Sequence, residues 1–229
     1  MNGMDFGFYN MDCMEGMKEF PDKFFDLAIV DPPYYSRPER RIFYGKKTSP
    51  IGVKRNYRKT KNWAVPTEEY FLELQRVSKH QIIWGCNYFD FPFSSGRIVW
   101  DKCNGGNFFS DAEIAFCSLH DSVKLFRYMW NGMNQGKSIS EGHIMQGNKD
   151  LNERRIHPTQ KPIALYDWLL MQYAKPGDKI LDTHVGSASS LIACRKAGLQ
   201  YVGFEKDEGI YRDAAERLQE FDNQLSLIW

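Results

Sequence analysis

The chain has 229 residues and a formal net charge of +1, and its contents of 42% hydrophobic and 26% charged residues are ordinary for a soluble globular protein. This length suits one sizeable core, so we predict a single domain over residues 1–229. No apolar run approaches the length of a membrane span, and the first residues lack the pattern of a signal peptide. The five cysteines are far apart without a CxxC pair, which disfavours a disulfide framework and a zinc site. We therefore expect a cytoplasmic protein that holds no metal.

Short apolar runs alternate with stretches of helical spacing along the chain. The predicted strands are 6–9, 27–30, 81–84, 97–100, 112–117, 123–130, 179–182 and 201–204. The predicted helices are 14–20, 67–77, 163–173, 191–197 and 208–221. Strands and helices alternate at both ends of the chain. This order predicts an α/β fold of the Rossmann-like, doubly wound type, with a mainly parallel sheet and at least one antiparallel strand.

An acid, two prolines and a tyrosine follow the apolar strand predicted at 27–30. Pro32 ends that strand because proline cannot donate to a sheet ladder. Asp31, Pro32, Pro33 and Tyr34 then emerge at the carboxyl end of the strand, the edge at which open α/β sheets bind ligands. Tyr34 could stack on a flat base while the Asp31 carboxylate and the Pro32 carbonyl accept hydrogen bonds from one amino group. The alternative is an ordinary strand that ends in a proline turn, and we favour the catalytic interpretation.

Positive charge is concentrated in one segment. Ten lysines and arginines lie between residues 37 and 61 against a single acid, Glu39, so this segment carries +9 and the rest of the chain −8. The surrounding stretch 35–66 has no hydrophobic period, which predicts a loop that binds a polyanion. The alternative is a solvated loop whose charge only keeps it soluble. The cations that we expect to contact the polyanion are Arg37, Arg40, Arg41, Lys46, Lys47, Lys54, Arg55 and Arg58.

Residues 180–205 predict a strand, a turn of small residues, a helix, a second strand and an acid. Gly186 allows close approach of the backbone, and free amides at the start of the helix can hold an anionic group. Glu205 follows the second strand, where an acid suits two ribose hydroxyls. The GxGxxG fingerprint is absent, and a loop with one glycine suits a ligand without a pyrophosphate. The alternative is an ordinary βαβ unit, and we favour a site for a nucleoside cofactor.

Polar and aromatic residues also follow two of the other predicted strands. We expect them to shape a pocket at the same edge, although most of the aromatic ones are favoured as core residues. These residues are Asn87, Tyr88, Trp100, Asp101 and Lys102.

Five segments together resemble the β-class of DNA amino-methyltransferases, in which the catalytic motif precedes the cofactor motif. Residues 31–34 match the catalytic tetrapeptide of that family in its adenine-N6 form. Residues 157–162, His-Pro-Thr-Gln-Lys-Pro, look like the segment that leads into the cofactor-side helix, and residues 182–189 resemble the S-adenosylmethionine loop. Glu205 resembles the ribose-binding acid, and residues 10–13 resemble the segment that contacts the adenine of the cofactor.

The resemblance implies a circularly permuted motif order and the site-specific transfer of a methyl group from S-adenosylmethionine to the N6 amino group of a flipped adenine. S-adenosylhomocysteine is the implied product, and no metal is implied. Double-stranded DNA is the implied partner, with a target-recognition insertion over residues 101–156, and a cognate restriction endonuclease and a homodimer stay open. The implied catalytic residues are Asp31, Pro32, Pro33 and Tyr34. The implied cofactor-binding residues are Asp12, Cys13, Lys161, Asp182, His184, Gly186, Ser187 and Glu205.

The cofactor loop departs from the family pattern Asp-Pro-Phe-x-Gly-Ser-Gly-Thr at Thr183, His184 and Ala188. The methyl group of Ala188 matters if that backbone requires a positive φ. His184 either stacks on the cofactor or fills space in the core. These departures leave open a catalytically weak, nucleic-acid-binding relative, and a cytosine-N4 or an RNA adenine methyltransferase is the other alternative. The acid at Asp31 favours adenine, because cytosine-N4 enzymes of this family more often carry serine there.

Overall fold

The computed structural model describes residues 4–36, 64–105 and 110–226. The eight cations of the basic segment, from Arg37 to Arg58, lie outside these residues. The strands are β1 (Gly7–Tyr9), β2 (Phe25–Val30), β3 (Ser78–Trp84), β4 (Arg97–Asp101), β5 (Ala112–Cys117), β6 (Val123–Arg127), β7 (Trp130–Asn131), β8 (Asn134–Gln135), β9 (Lys179–Asp182) and β10 (Gln200–Phe204). The helices are α1 (Cys13–Lys18), α2 (Glu68–Val77), α3 (Ile163–Tyr173), α4 (Ser189–Lys196) and α5 (Glu208–Ser226).

Eight of the strands form one sheet in the order β1-β10-β9-β2-β3-β5-β4-β6. Five of the pairs are parallel, and β5 runs antiparallel to both of its neighbours, β3 and β4. The predicted α/β class with a mainly parallel sheet and an antiparallel strand is therefore confirmed.

The strand order reverses between β9 and β2. From β2 the chain proceeds to β3 on one side, and from β9 it proceeds to β10 on the other. Leu27 lies beside Ile180 and Ala28 beside Leu181 in this parallel pair. A reversal of this kind leaves a crevice at the carboxyl ends of the two strands, which is where open α/β sheets bind ligands. The pairing brings the stretch after β2 and the stretch after β9 to the same crevice.

Helices cover both faces of the sheet, as the doubly wound class requires. Alternate side chains of β2 point to opposite faces, so Leu27 and Ile29 join one core cluster and Ala28 and Val30 the other. The first cluster includes side chains of α3, α4 and α5, and the second includes side chains of α1 and α2. Because β2 is buried on both faces, its sequence is a continuous apolar run and not an alternating one.

Residues 101–156 are divided between the main sheet and a separate small unit. Strands β5 and β6 belong to the main sheet, whereas β7 pairs only with β8. Residues 123–130 do not form the single strand predicted: β6 ends at Arg127, and Trp130 belongs to β7, where it pairs with Gln135 of β8. The target-recognition role predicted for residues 101–156 stays a prediction. No helix in the three described ranges is long and apolar enough to cross a membrane.

A buried ion pair joins this small unit to helix α5. The guanidinium of Arg217 lies 2.6 Å from Glu153 and also donates to the carbonyl of Ser187, in the turn before α4. The second carboxylate oxygen of Glu153 accepts from the backbone amide of Ile163, the first residue of α3. This pair therefore connects three elements around the crevice.

We expect Arg217→Met to lower the free energy of unfolding by about 3–5 kcal/mol, because it leaves Glu153 buried without its cation. Urea unfolding followed by circular dichroism measures the change. The matched control is Arg212→Met on the same helix, whose pair with Glu208 is exposed and should contribute less than about 1 kcal/mol. Equal effects of the two substitutions would contradict the assignment of the buried pair.

Candidate active site

The corner after β2 places an acid beside an aromatic ring. Asp31 is partly exposed, and one of its carboxylate oxygens accepts a short hydrogen bond from the hydroxyl of Tyr34. The ammonium group of Lys161 lies 2.5 Å from the other oxygen. Both oxygens of Asp31 are thus held by fixed partners, which gives the carboxylate one orientation at the mouth of the crevice.

The ring of Tyr34 is held against the start of the turn that follows β3. A Cβ atom added at Gly85 would lie 2.0 Å from the Tyr34 ring, so only glycine allows this approach, and its φ of +70° also favours glycine. Tyr88 stacks on Tyr34 with ring centroids 5.0 Å apart and an angle of 14° between the planes. Tyr88 is 46% exposed, whereas Trp100 is in the core. The corner therefore presents a flat aromatic surface next to a carboxylate.

Lys161 lies on the Asp31 side of the crevice. Besides Asp31, its ammonium group contacts Glu113 at 2.9 Å and donates to the hydroxyl of Tyr34 at 3.1 Å. Lys102 forms a short ion pair with the same Glu113 carboxylate. Burial by itself would raise the pKa of Glu113, but the two lysines overcome it and lower that pKa to about 2. The cofactor-binding role implied for Lys161 stays a prediction, and in the structure this residue pairs with Asp31 and Glu113.

The carboxylate of Asp182 at the end of β9 is used inside the loop that follows it. It accepts from the backbone amide of His184 at 3.0 Å and forms a short hydrogen bond with the hydroxyl of Ser190. Burial raises the pKa of Asp182 to about 7 against these two hydrogen bonds, and the charges of Asp31 and Glu205 add to the rise. Asp182 therefore shapes the loop from within.

Glu205 lies across the loop, at the end of β10. Its carboxylate accepts from the amide of Gly186 at 3.0 Å and from the amide of Asp207 at 2.9 Å. Burial raises its pKa, and these backbone hydrogen bonds oppose the rise. Each oxygen makes one of these bonds and has further acceptor capacity, so a partly exposed acid remains available to hydroxyl groups.

The segment before α1 runs beside Glu205. The amide of Met11 donates to the carbonyl of Glu205 at 3.1 Å, which fixes the distance between the two segments. Asp12 caps α1 by accepting a hydrogen bond from the amide of Met14, and it forms an ion pair with Lys206. Burial raises the pKa of the Cys13 thiol to about 12. The structure therefore brings Asp12 and Cys13 next to the predicted ribose acid.

The loop departures from the family pattern form a contact network of their own. Thr183 bonds to the ring of His184 at 2.9 Å and to the hydroxyl of Tyr70 at 2.6 Å, and the His184 ring packs edge-on against Tyr70 at 5.5 Å. Burial lowers the pKa of His184 to about 4, although the charge of Asp12 opposes this. His184 is therefore neutral near pH 7 and only partly buried, so its ring remains available to a ligand.

Ala188 and Gly186 both adopt a positive φ, of 62° and 56°. The left-handed conformation costs alanine about 1–2 kcal/mol. The methyl group of Ala188 is fully buried in the core, and its burial stabilises the fold by about 0.8 kcal/mol, which offsets part of that cost. Ser187 is buried in the same turn, where its carbonyl accepts from Arg217. The loop therefore keeps the tight turn that the family pattern forms with glycine.

Comparison with known proteins identifies the family. The model of the N6/N4 methyltransferase family, described as DNA methylase, matches residues 25–216. The chain belongs to this family. The matched region contains the corner after β2, Lys161, the loop after β9 and Glu205, so every side of the crevice except the segment before α1 lies within it.

The chain is also similar to known relatives and solved structures. The Type II methyltransferase M.HinfI of Haemophilus influenzae is 26% identical over 95% of this chain and 70% of that protein. The crystal structure of M1.HpyAVI in complex with SAM has a TM-score of 0.53 at 18% identity, covering 92% of this chain and 98% of that chain. The cytosine-N4-specific PvuII DNA methyltransferase has a TM-score of 0.56 at 13% identity, covering 97% and 93%. These structures share the fold of this chain.

Three side chains at the site were not predicted from the sequence. Glu113 is a single acid in a β-strand, so from the sequence it resembles a polar residue on a solvent-facing strand position. Tyr70 has the spacing of a residue on the buried face of a helix, so from the sequence it resembles a core residue. Arg217 lies among the many charges of α5. Glu113 could have been noticed because it lies between apolar residues, in a strand whose last three residues are buried. In the described part of the chain, no three or more His, Cys, Asp or Glu residues form a metal site.

We expect the effect of Asp182→Asn on stability to depend on pH. In the folded protein Asp182 has a pKa of about 7, whereas in the unfolded chain it titrates near about 3.9, so its ionisation lowers stability as pH rises between these values. Asparagine does not ionise, so the destabilisation relative to wild type should be smaller at pH 8 than at pH 4.5, by at least about 1.4 kcal/mol. Urea unfolding at both pH values measures it, and an identical difference at the two would contradict the raised pKa.

Proposed function

We propose that this chain transfers the methyl group of S-adenosylmethionine to the N6 amino group of adenine in double-stranded DNA. The observation that carries the proposal is the position of Asp31. Its fixed carboxylate stands beside the flat ring of Tyr34, at the reversal of strand order that also receives the loop after β9. An acid beside a stacking surface suits an amino group on a flat base.

The second side of the crevice has the chemistry to hold the cofactor. Glu205 has acceptor capacity for the two ribose hydroxyls, and residues 10–13 run beside it, where the adenine of the cofactor would lie. The neutral ring of His184 adds no positive charge against the sulfonium. When bound, S-adenosylmethionine supplies an activated methyl group.

Asp31 and the carbonyl of Pro32 supply the two acceptors for the hydrogens of the target amine. An exocyclic amine on an aromatic ring is a poor nucleophile because its lone pair is delocalised into the ring. Acceptance of both hydrogens favours a pyramidal nitrogen and frees that lone pair, which then forms the bond to the methyl carbon as the bond to sulfur breaks. Once the methyl group is attached the nitrogen is acidic, and it releases its extra proton to water, so catalysis depends on position and electrostatics. Tyr34 stacks on the base, which must leave the duplex to reach this corner.

The choice of adenine rests on the side chain at position 31 and not on the fold. The fold is shared with the cytosine-N4-specific PvuII DNA methyltransferase, so the arrangement of strands does not select the base. An aspartate stands at the position where cytosine-N4 enzymes more often have serine. The deciding experiment incubates the protein with DNA and methyl-labelled cofactor and analyses the nucleosides. We expect label in N6-methyladenine; label in N4-methylcytosine would overturn the base assignment, and no label the activity.

Asp31→Ala and Glu205→Ala should separate the two sides of the crevice. We expect Asp31→Ala to abolish methyl transfer while the affinity for the cofactor stays within about twofold, because the acid faces the target amine. Glu205→Ala should weaken cofactor binding by roughly 1.5–3 kcal/mol through loss of charge-assisted hydrogen bonds. Isothermal titration calorimetry and the transfer assay measure the two effects. Equal loss of affinity in both variants would place Asp31 in the cofactor site.

The basic segment, with its +9 charge directly after Tyr34, is proposed to bind the phosphates that flank the flipped base. We expect the triple substitution Arg37→Ala, Arg40→Ala and Arg41→Ala to weaken DNA binding and to reduce the slope of log affinity against log salt by up to about 2.7, at about 0.9 per phosphate contact. Sequence preference should change less, because phosphate contacts position the protein and base contacts specify the sequence.

Fluorescence anisotropy over a range of salt concentrations measures this slope. The control is Lys196→Ala, which removes a cation paired with Asp167 on the helical layer. A triple variant with the affinity and salt dependence of wild type would show that DNA follows another face.

A further inference from the structure

A chain of alternating charges leads from the antiparallel part of the sheet to the catalytic acid. Lys102 pairs with Glu113, Glu113 with Lys161 at 2.9 Å, and Lys161 with Asp31 at 2.5 Å. The side chain of Lys161 is 4% exposed, so its ammonium group is removed from water. Four charged groups at such short range act as one electrostatic unit.

Each member of this charge chain comes from a different element. Lys102 follows β4, Glu113 lies in β5, Lys161 precedes α3 and Asp31 follows β2. In the sheet, β5 runs antiparallel, and Glu113 is opposite Trp100 in the register with β4. The carboxyl ends of β4 and β2 and the start of β5 therefore meet at one edge, and the buried lysine joins them.

Lys161 is held as a cation. Burial by itself would lower its pKa, but the two carboxylates that face it produce a net rise. A full cation paired only with Asp31 would neutralise the carboxylate that must accept the amino hydrogens of the base. Glu113 competes for the same ammonium group on its other side. The two lysines and two carboxylates carry no net charge, and the contact of Lys161 with Glu113 means that Asp31 does not hold the whole lysine charge alone.

We propose that Lys161 and Glu113 are positioning residues for Asp31. Lys161 fixes the orientation of the Asp31 carboxylate, and Glu113 draws part of the lysine charge away so that Asp31 remains a strong acceptor. This inference rests on the proposed methyl transfer and adds two residues to it. A carboxylate has about four acceptor positions, so Asp31 retains room for an amine after the bonds to Tyr34 and Lys161 are made.

The test compares Glu113→Gln, Lys161→Met and the double variant in single-turnover methyl transfer. Glu113→Gln leaves the whole charge of Lys161 on Asp31, so we expect transfer to slow at least tenfold while cofactor affinity changes less than twofold. Lys161→Met should also slow transfer, because the carboxylate loses its anchor. Removing Lys161 in the Glu113→Gln background releases the carboxylate, so the double variant should be faster than Glu113→Gln alone.

A purely structural role for these residues would give a different pattern. A second substitution would not restore a rate lost through damaged packing, so a double variant no faster than Glu113→Gln would overturn the proposal. A wild-type rate in Glu113→Gln would overturn it as well. The control is Lys79→Met, which removes an exposed pair with Asp26 at the opposite edge of the sheet and should leave transfer unchanged.

Glu113→Asp serves if Glu113→Gln does not fold, because it keeps the charge and shortens the side chain. We expect its transfer rate to stay within about fivefold of wild type, and a loss as large as that of Lys161→Met would overturn the proposal. Failure of wild-type protein to transfer any methyl group would instead reject the proposed function, so the two failures are distinguishable.

Discussion

The site depends on the pairing of β2 with β9, two strands from opposite parts of the chain. Their register, with Ala28 beside Leu181, sets Asp31 and Asp182 at the same edge of the sheet. The two acids are close enough for the charge of Asp31 to contribute to the raised pKa of Asp182. Because both strands are buried on both faces, a shift of register would misfit the packed side chains of both core clusters, and close packing therefore fixes the distance between the two halves of the crevice.

Two glycines let side chains pack directly against the backbone and so position the loops on either side of this strand pair. Gly85 admits the ring of Tyr34 at the turn after β3, and Gly203 admits Val185 and Leu191, where a Cβ would lie 2.7 Å from Val185. The first contact places the aromatic surface on the side of Asp31. The second packs the loop after β9 against β10, the strand that Glu205 follows. The cytosine-N4-specific PvuII DNA methyltransferase shares this fold, so we expect side chains and not the arrangement of strands to select the base.

The sequence permitted prediction of those features that depend on local patterns. The apolar run 27–30 predicted β2, the run at 179–182 predicted β9, and the residues after each were predicted as the two halves of a site. The reason is that the carboxyl ends of parallel strands meet at one edge whatever the intervening chain does. The sequence also identified Ala188 as a position where the backbone could require a positive φ, and its φ is positive in the structure.

Features that depend on distant contacts could not be predicted in this way. The motif that contains Lys161 gave no sign of its contact with Glu113, a residue of an antiparallel strand whose neighbours are set by the folded sheet. The ion pair of Arg217 with Glu153 joins two segments that show no sequence signal for each other. Charge pairs of this kind arise only when elements with no common periodicity pack together.

The most direct measurement of the central claim is a crystal structure with S-adenosylhomocysteine, the unreactive product of the proposed reaction. If the pairing of β2 with β9 forms one site, the ribose should contact Glu205 and the sulfur should be oriented toward the Asp31 corner. A ligand that binds away from Glu205, or whose sulfur is turned away from Asp31, would contradict the account.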